Sequence, residues 1–332
     1  MNSPATGLDA DSRKEIAASL RQLFEQRTES HDVATLLAEF GWADVLAEDP
    51  CAAINLLFHE QGRAVAGSRA LDDVVLAQLP HIEATARRRA VVYPHPLGAV
   101  LSRPRDGALR GIVLGSLDDV EDAVIPHTRP DGTVAVAVTP AAELATAAVP
   151  LGGFDQHTGW RTISGSRTTD GHTVSIGPAW DLAVAAGRRA LAAEILGVCD
   201  AARELVVAHA SARMQFGRPI GSFQAVRHRL AEAEVAMAGA RSVLGAAWQD
   251  PAGPSGVWTA MIAKLRAGHA QAVLMRHAVQ TLGAMGLTRE SPLHRYVERA
   301  AALDALLGGH RALTEAVGSA LLGGTEADFE LP

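Results

Sequence analysis

The sequence predicts a mainly α-helical protein with a small β-domain set between two helical regions. Three observations predict it. Apolar residues recur at helical spacing over the first 88 residues and again from about residue 180. Between these regions, from about 89 to 178, short β-branched runs are separated by glycine and proline turn signals. The last region holds several long periodic stretches with short connections, the pattern of an up-down bundle. The expected domains are an N-terminal α-helical domain (1–88), a short middle antiparallel β-domain (89–178) and a C-terminal four-helix bundle (179–332).

In the first region, Ile16, Leu20, Leu23 and Phe24, then Val33, Leu36 and Leu37, mark one helical face between Arg13 and Ala38. Breaks are expected at Phe40-Gly41-Trp42 and at Glu48-Asp49-Pro50. A second run carries Ile54, Leu57, Phe58 and Val65. A third holds Leu71, Val74, Val75 and Leu79, and Pro80 interrupts it.

The middle region reads as strands. Ile112-Val113-Leu114, Val124-Ile125 and Val134 to Val138 are the runs, and Val134, Val136 and Val138 alternate with alanine as in a half-buried strand. Pro130-Asp131-Gly132, Gly152-Gly153 and Asp170-Gly171 are the turns. No long helix fits between them.

The bundle follows in four stripes. Leu191, Ile195, Val198, Ala202 and Leu205 form the first. Val226, Leu230, Ala233, Met237, Ala240, Leu244 and Ala247 form the second. Trp258, Ile262, Leu265, Ala272, Met275, Val279 and Leu282 form the third. The fourth helix begins with Ser291 as N-cap and Pro292 at its first position, and stops at Gly308-Gly309. A last short helix runs to Gly323-Gly324.

Composition narrows the function. Hydrophobic residues make up 48% and charged residues 20%, enough for a large core, while aromatics at 4% leave Ala, Leu and Val to build it. A net charge of −7 argues against a nucleic-acid partner. Cys51 and Cys199 are far apart and lack CxxC spacing, so neither a disulfide scaffold nor a cysteine zinc site is expected and a reducing cytoplasm is. The first residues resemble no signal peptide, and no apolar run is long enough to span a membrane. His59-Glu60 opens like a zinc-protease helix, but Arg63 stands where the second histidine belongs, so no metal site is expected.

One stretch is denser in special residues than a helix connection requires. Arg213-Met214-Gln215-Phe216-Gly217-Arg218-Pro219-Ile220-Gly221-Ser222-Phe223-Gln224 lies between the first and second bundle helices. Gly217 and Pro219 suffice for a turn. Arg213 adds a fork of donors suited to a pyrophosphate, Phe216 and Phe223 add flat apolar surface, and Gln224 adds an amide. From this chemistry alone, a nucleotide-cofactor site and a plain turn with a surface arginine both stay open.

The pattern R-x-Q-F-G-x-P-I-x-x-F-Q resembles the signature of the flavin-dependent acyl-CoA dehydrogenases. Leu37-Ala38-Glu39-Phe40-Gly41-Trp42 resembles that family's N-terminal "LAELGW" segment. Ala278 to Gly286 resembles its "Q-x-x-G-G-x-G" loop, and Ser291-Pro292-Leu293 followed by Arg299 resembles its "E-x-P-L…R-D" helix. The resemblance spans nearly the whole chain, is strong toward the C-terminus and is weak in the middle. It implies the helix–β–helix fold and FAD lying across a dimer interface, its ADP end held by one subunit and its ring placed against the β-domain of the other. By motif, Arg213, Phe216, Gly217 and Gln224 would hold the pyrophosphate and flank the cofactor. Gln280, Gly283 and Gly286 would form the loop around its adenosine and pyrophosphate.

The departures are selective. The family's base is a glutamate in a "Y-E-G-T" loop. The matching residues here are Leu307-Gly308-Gly309-His310, which puts Gly308 at the base position. Members with the glutamate early on the first bundle helix would place it near Gly187. Losing a positioned base costs roughly 10²–10⁴ in rate. Asp304 and Glu194 are the two weak candidates for a relocated base. The family's middle loops, "T-E-P-x-A-G-S-D" and "W-I-T-N", have no good match between Arg89 and Ala179, and Gly159 to Ile163 is a loose one.

What serves a subunit's own substrate is thus missing, and what reaches a neighbour's FAD is kept. The resemblance therefore points to the base-less subunit of an α2β2 acyl-CoA dehydrogenase like those of actinobacterial steroid catabolism. The implied partners are a homologous subunit carrying the glutamate, an acyl-CoA that is a steroid-derived thioester, and an electron-transferring flavoprotein as acceptor. Two rivals are a self-sufficient enzyme with a moved base and a catalytically dead scaffold.

Overall fold

The computed structural model describes residues 7–26, 33–79, 82, 88–95, 108–152, 155, 158–166 and 172–323. Helices dominate, and the strands form two small sheets and one short hairpin. The expected mainly α architecture with a small β region is the one observed. The chain divides into two compact units, one made of Met1–Ala66, Arg189–Gln249 and Ile262–Leu303, the other of Gly67–Arg188, Asp250–Met261 and Asp304–Pro332. Each unit thus takes segments from more than one of the sequence regions.

The first unit is helical. It opens with α1 (Ala10–Gln26), α2 (Val33–Glu39), α3 (Trp42–Glu48) and α4 (Pro50–Arg63). Both expected breaks have a cause. Gly41 takes φ +81° just before α3. Asp49 caps α4 by accepting from the Ala52 N–H at 3.0 Å, with Pro50 in the first turn. Burial along α7 (Gly177–Ala212) runs unbroken from Arg189 to Asp200, so this stretch is covered on all sides. It meets α4 backbone to backbone. A Cβ on Gly62 would stand 2.1 Å from the Glu194 carbonyl oxygen, and one on Gly197 would stand 1.9 Å from that of His59. Around this crossing Arg21 chelates Glu60 at 3.0 and 3.1 Å, and His59 bridges Glu60 at 3.1 Å and Asp200 at 3.0 Å. Burial opposes charge on His59, but its hydrogen bonds to Asp200 and Glu60 and their charges outweigh that and raise its pKa.

The long helices alternate in direction. Asp200 and Arg203 of α7 pair with Arg241 and Glu234 of α8 (Gln224–Gln249) in descending order. Glu232 of α8 pairs with His277 of α9 (Gly256–Leu282) at 3.0 Å, while Gly239 faces Arg266. The end of α7, the start of α8 and the end of α9 therefore share one end of the bundle. In α10 (Leu293–Ala305), Ser291 Oγ accepts from the Leu293 N–H at 3.3 Å, so the helix starts one residue after Pro292.

The second unit holds α5 (Ala70–Leu76), α6 (Ala142–Ala145), α11 (His310–Leu322) and two four-stranded sheets. One sheet runs β1 (Arg89–Val91), β4 (Asp122–Thr128), β5 (Val134–Pro140), β8 (His172–Ser175). The other runs β2 (Tyr93–Pro94), β3 (Ala108–Val113), β7 (Arg161–Ser166), β6 (Ala148–Pro150). The expectation was antiparallel throughout, but β1 pairs with β4 in parallel, Ala90 opposite Ala123. Val92, Val113, Leu117, Ile125, Leu144 and Ile163 form its core. Val136 is buried while Val134 and Val138 stay half-buried, so only the middle of β5 is covered on both faces. Pro80, Asp170-Gly171, Gly324 and part of the Gly152-Gly153 signal lie outside the described residues.

Candidate functional site

The connection between α7 and α8 is a minimal hairpin. β9 (Met214–Gln215) pairs antiparallel with β10 (Arg218–Pro219), Gln215 opposite Arg218. The two residues between them, Phe216 and Gly217, have φ +50° and +77°, the signs of a type I′ turn. Glycine takes that conformation freely; for phenylalanine it costs roughly 1–3 kcal/mol. The Ile220 N–H donates to the Arg213 carbonyl at 2.8 Å and closes the base of the loop. A 3-10 turn (Ile220–Ser222) then leads into Phe223 and to Gln224, the first residue of α8.

The hairpin aims apolar surface at solvent. Phe216 is 93% exposed and Met214 52%. The Phe216 and Phe223 rings meet in a T-shaped pair at a centroid distance of 6.1 Å, and the Arg218 guanidinium covers the Phe223 ring at 4.2 Å. Arg213 and Gln224 are exposed.

At the same end of the bundle, α9 gives way to a 3-10 turn (Gly283–Leu287). Gln280 and Gly283 are exposed, Gly283 at φ +64° with no atom within 4 Å of a Cβ built there. Gly286 is buried instead: a Cβ would stand 2.9 Å from the Val279 carbonyl oxygen. Gly286 therefore serves close packing, and Gln280 and Gly283 face outward. The exposed guanidiniums of Arg213, Arg218, Arg227 and Arg276 make this end basic in a chain of net charge −7, and Glu232 is occupied by His277. Exposed arginines beside Gly217, which has open space around it, fit the diphosphate of a dinucleotide such as FAD.

The base positions belong to the second unit and are closed. A Cβ on Gly187 would stand 2.7 Å from Leu307 Cδ1, 3.3 Å from Val75 Cγ2 and 3.6 Å from Leu71 Cδ1. Leu307 and Gly308 take φ +55° and +101°, and Arg188 Nε donates to the Leu307 carbonyl at 3.0 Å. A Cβ on Gly308 would meet Leu313 Cδ2 at 2.9 Å. The Asp304 carboxylate accepts from the His310 N–H at 3.1 Å and bonds that residue's Nδ1 at 2.7 Å, which holds it at the start of α11. Glu194, in the first unit, is buried and accepts from Arg299 at 3.3 Å; Arg299 also donates to the Val65 and Ala66 carbonyls. The structure thus gathers Arg213, Phe216 and Gly217 on one hairpin, with Gln224 opening the helix that follows, and puts Asp304 and Glu194 into structural pairs.

One further titratable group stands out near these residues in the second unit. Asp72 follows Leu71 and is fully buried. Burial pushes its carboxyl up to about 7, although the Arg69 charge and the Tyr93 hydroxyl, donating at 2.8 Å, pull the other way. Sequence reading singled out neither Asp72, Leu307 nor Arg218. Arg218 lay within the flagged stretch, but nothing in the sequence indicated that it covers a ring. Among the described residues no group of three His, Cys, Asp or Glu side chains is placed to hold a metal, and no helix is long and apolar enough to cross a membrane.

Residues 181–322 match the family model described as acyl-CoA dehydrogenase, C-terminal domain. The bundle of this chain is such a domain, and the chain as a whole is similar to acyl-CoA dehydrogenases in fold. Among particular relatives, it is 40% identical over 110 residues to acyl-CoA dehydrogenase IpdE2 of Mycobacterium tuberculosis, which is 33% of each chain. It is 35% identical over 112 residues to the mitochondrial short-chain specific acyl-CoA dehydrogenase of Bos taurus, 33% of this chain and 27% of that one. These matches span about a third of the relatives' length. In fold the likeness is nearly complete. The Tcur3481-Tcur3483 steroid ACAD G363A variant superposes with a TM-score of 0.75 at 22% identity, covering 96% of this chain and 99% of that one. The ChsE4-ChsE5 complex from Mycobacterium tuberculosis gives 0.72 at 20% identity, covering 98% and 99%.

Proposed function

We propose that this chain is the base-lacking, non-catalytic subunit of an FAD-dependent acyl-CoA dehydrogenase that acts on a steroid-derived CoA thioester. Its job is to grip the dinucleotide end of a flavin whose ring and base belong to a homologous partner subunit. The observation that carries this reading is the contrast between two regions. Where the family places its glutamate, Gly187 is packed under Leu307 and Gly308 is packed under Leu313. Where the family reaches toward a neighbour, Phe216 is held almost wholly in solvent on a strained turn.

FAD, when bound, would supply the hydride acceptor for oxidation of the thioester. This chain's residues do the holding. Arg213 offers charge-assisted donors to the pyrophosphate, and Gly217 lets that group approach the backbone. Phe216 would offer its exposed ring as apolar surface to the cofactor. Gln224, Gln280 and Gly283 line the same bundle end, with Gly286 fixing the loop. The proton is taken by a carboxylate of the partner. Two of the solved structures that share this fold, the ChsE4-ChsE5 complex and the Tcur3481-Tcur3483 pair, are named as two chains, which supports a heteromer. An electron-transferring flavoprotein as acceptor, a cytoplasmic setting and the three-domain division complete the reading.

The test is expression of the chain alone and together with a homologous glutamate-bearing subunit. Alone it has neither stoichiometric flavin nor dehydrogenase activity; together both appear. Arg213→Ala weakens flavin retention in the complex by about ten- to a hundredfold, the worth of one hydrogen bond to a charged group. A yellow, active lone chain contradicts the reading.

A further inference from the structure

Arg218 stands across the hairpin from Gln215, and its guanidinium carbon lies 4.2 Å from the centroid of the Phe223 ring. Phe223 in turn forms a T-shaped pair with Phe216 at 6.1 Å and 87°. The three side chains form a chain of contacts, from cation to ring to ring. Phe216 needs such support. It sits at φ +50°, which a β-carbon disfavours, and at 93% exposure little else in this chain restrains it. A hairpin of only two ladder pairs, Gln215 with Arg218 and Met214 with Pro219, is marginal by itself.

We infer that Arg218 is a positioning residue: by clamping the Phe223 ring it holds Phe216, and with it the Arg213–Arg218 hairpin, in the conformation presented to the partner's flavin. This rests on the reading of the hairpin as a dinucleotide grip, though the clamp itself exists within this chain. The guanidinium is suited to the task because it is planar and weakly hydrated, so it covers an aromatic face without leaving water. An ammonium on the same stem keeps the charge over the ring and part of the attraction. A neutral amide keeps neither.

The clamp is tested by hydrogen–deuterium exchange on the full chain, following the amides of residues 214–218 in wild type, Arg218→Lys and Arg218→Gln. The expected result is exchange about two- to fivefold faster in Arg218→Gln, with Arg218→Lys in between, and an unchanged melting temperature in both. The fold-change follows from the size of an exposed cation–π contact. In the complex with a glutamate-bearing subunit, flavin dissociates faster in the same order. Equal exchange in all three proteins overturns the clamp, as does equal loosening in Arg218→Lys and Arg218→Gln. The two readings separate cleanly. If Arg213→Ala leaves flavin retention unchanged, the dinucleotide grip is wrong whatever the exchange shows. If Arg213→Ala releases flavin while Arg218→Gln changes neither exchange nor retention, only the clamp is wrong.

Discussion

Leu307 Cδ1 lies 2.7 Å from where a β-carbon on Gly187 would stand, so the side chain of one residue occupies the space that the other leaves. Gly187 is inside α7, where alanine is ordinarily favoured over glycine by about 1 kcal/mol. Here the preference reverses. Gly187→Ala is expected to destabilise the chain by about 1–3 kcal/mol through overpacking. Leu307→Ala opens a cavity of its own, but in the double variant the two costs do not add. Chemical denaturation of the four proteins measures the coupling, and strict additivity would mean that the two residues do not compete for space.

The Glu194–Arg299 pair is buried on both sides, at 3% and 1% side-chain exposure. Removing one partner takes a close counter-charge from the other inside the core. Arg299→Met should cost about 3–5 kcal/mol, and the double replacement Arg299→Met with Glu194→Leu should recover much of it. Urea unfolding checks both. A change under 1 kcal/mol in the single variant would show that Glu194 is not committed to this pair.

Asp304 offers a direct contest with a self-sufficient enzyme. Asparagine keeps an oxygen for the His310 N–H and loses only the charge shared with its ring. In the assembled enzyme, kcat/KM of Asp304→Asn is expected to stay within about twofold of wild type. A base would lose roughly 10²–10⁴.

Asp72 gives the stability a pH dependence whose sign is set by its environment. Its carboxyl titrates at about 7 in the folded chain against 3.8 for an ordinary aspartate. Between those values the native state holds a proton that the unfolded chain has released, so this group makes stability fall as pH rises through the window and level off above it. Asp72→Asn removes the slope. The difference in unfolding free energy between wild type and Asp72→Asn should change by a few kcal/mol between pH 4 and pH 8, with the variant gaining as pH rises. A constant difference contradicts the burial of a titrating carboxyl.

Much of the architecture could be read in advance because its signals are local. Asp49-Pro50 caps a helix wherever it stands, Ser291 does the same for α10, and two helical regions around a β region announce the layers. The buried face of α9 could not be read the same way. Trp258, Ile262, Leu265 and Val279 were expected inward and are half-buried, while Ala260, Ala263, Ala267, Ala270 and Ala278 are fully buried. Size-weighted periodicity follows the large residues, but helices that approach closely do so over alanine and glycine, as Gly62 and Gly197 also show. The parallel pairing of β1 with β4 depends on partners distant in sequence. At the candidate site, the hairpin could be located because its residue types are unusual together. The closure of Gly187 depends on a leucine far down the chain, and the stacking of Arg218 on Phe223 depends on a turn geometry that residue types alone do not specify.

The division of labour between unlike subunits is tested most directly by counting flavin. The complex of this chain with a glutamate-bearing homologue is purified, and its flavin absorbance is compared with the subunit ratio. One FAD for each pair of unlike subunits, and none retained by this chain alone, is the expected result. One FAD for every chain, or flavin bound by a homo-oligomer of this chain, would contradict it.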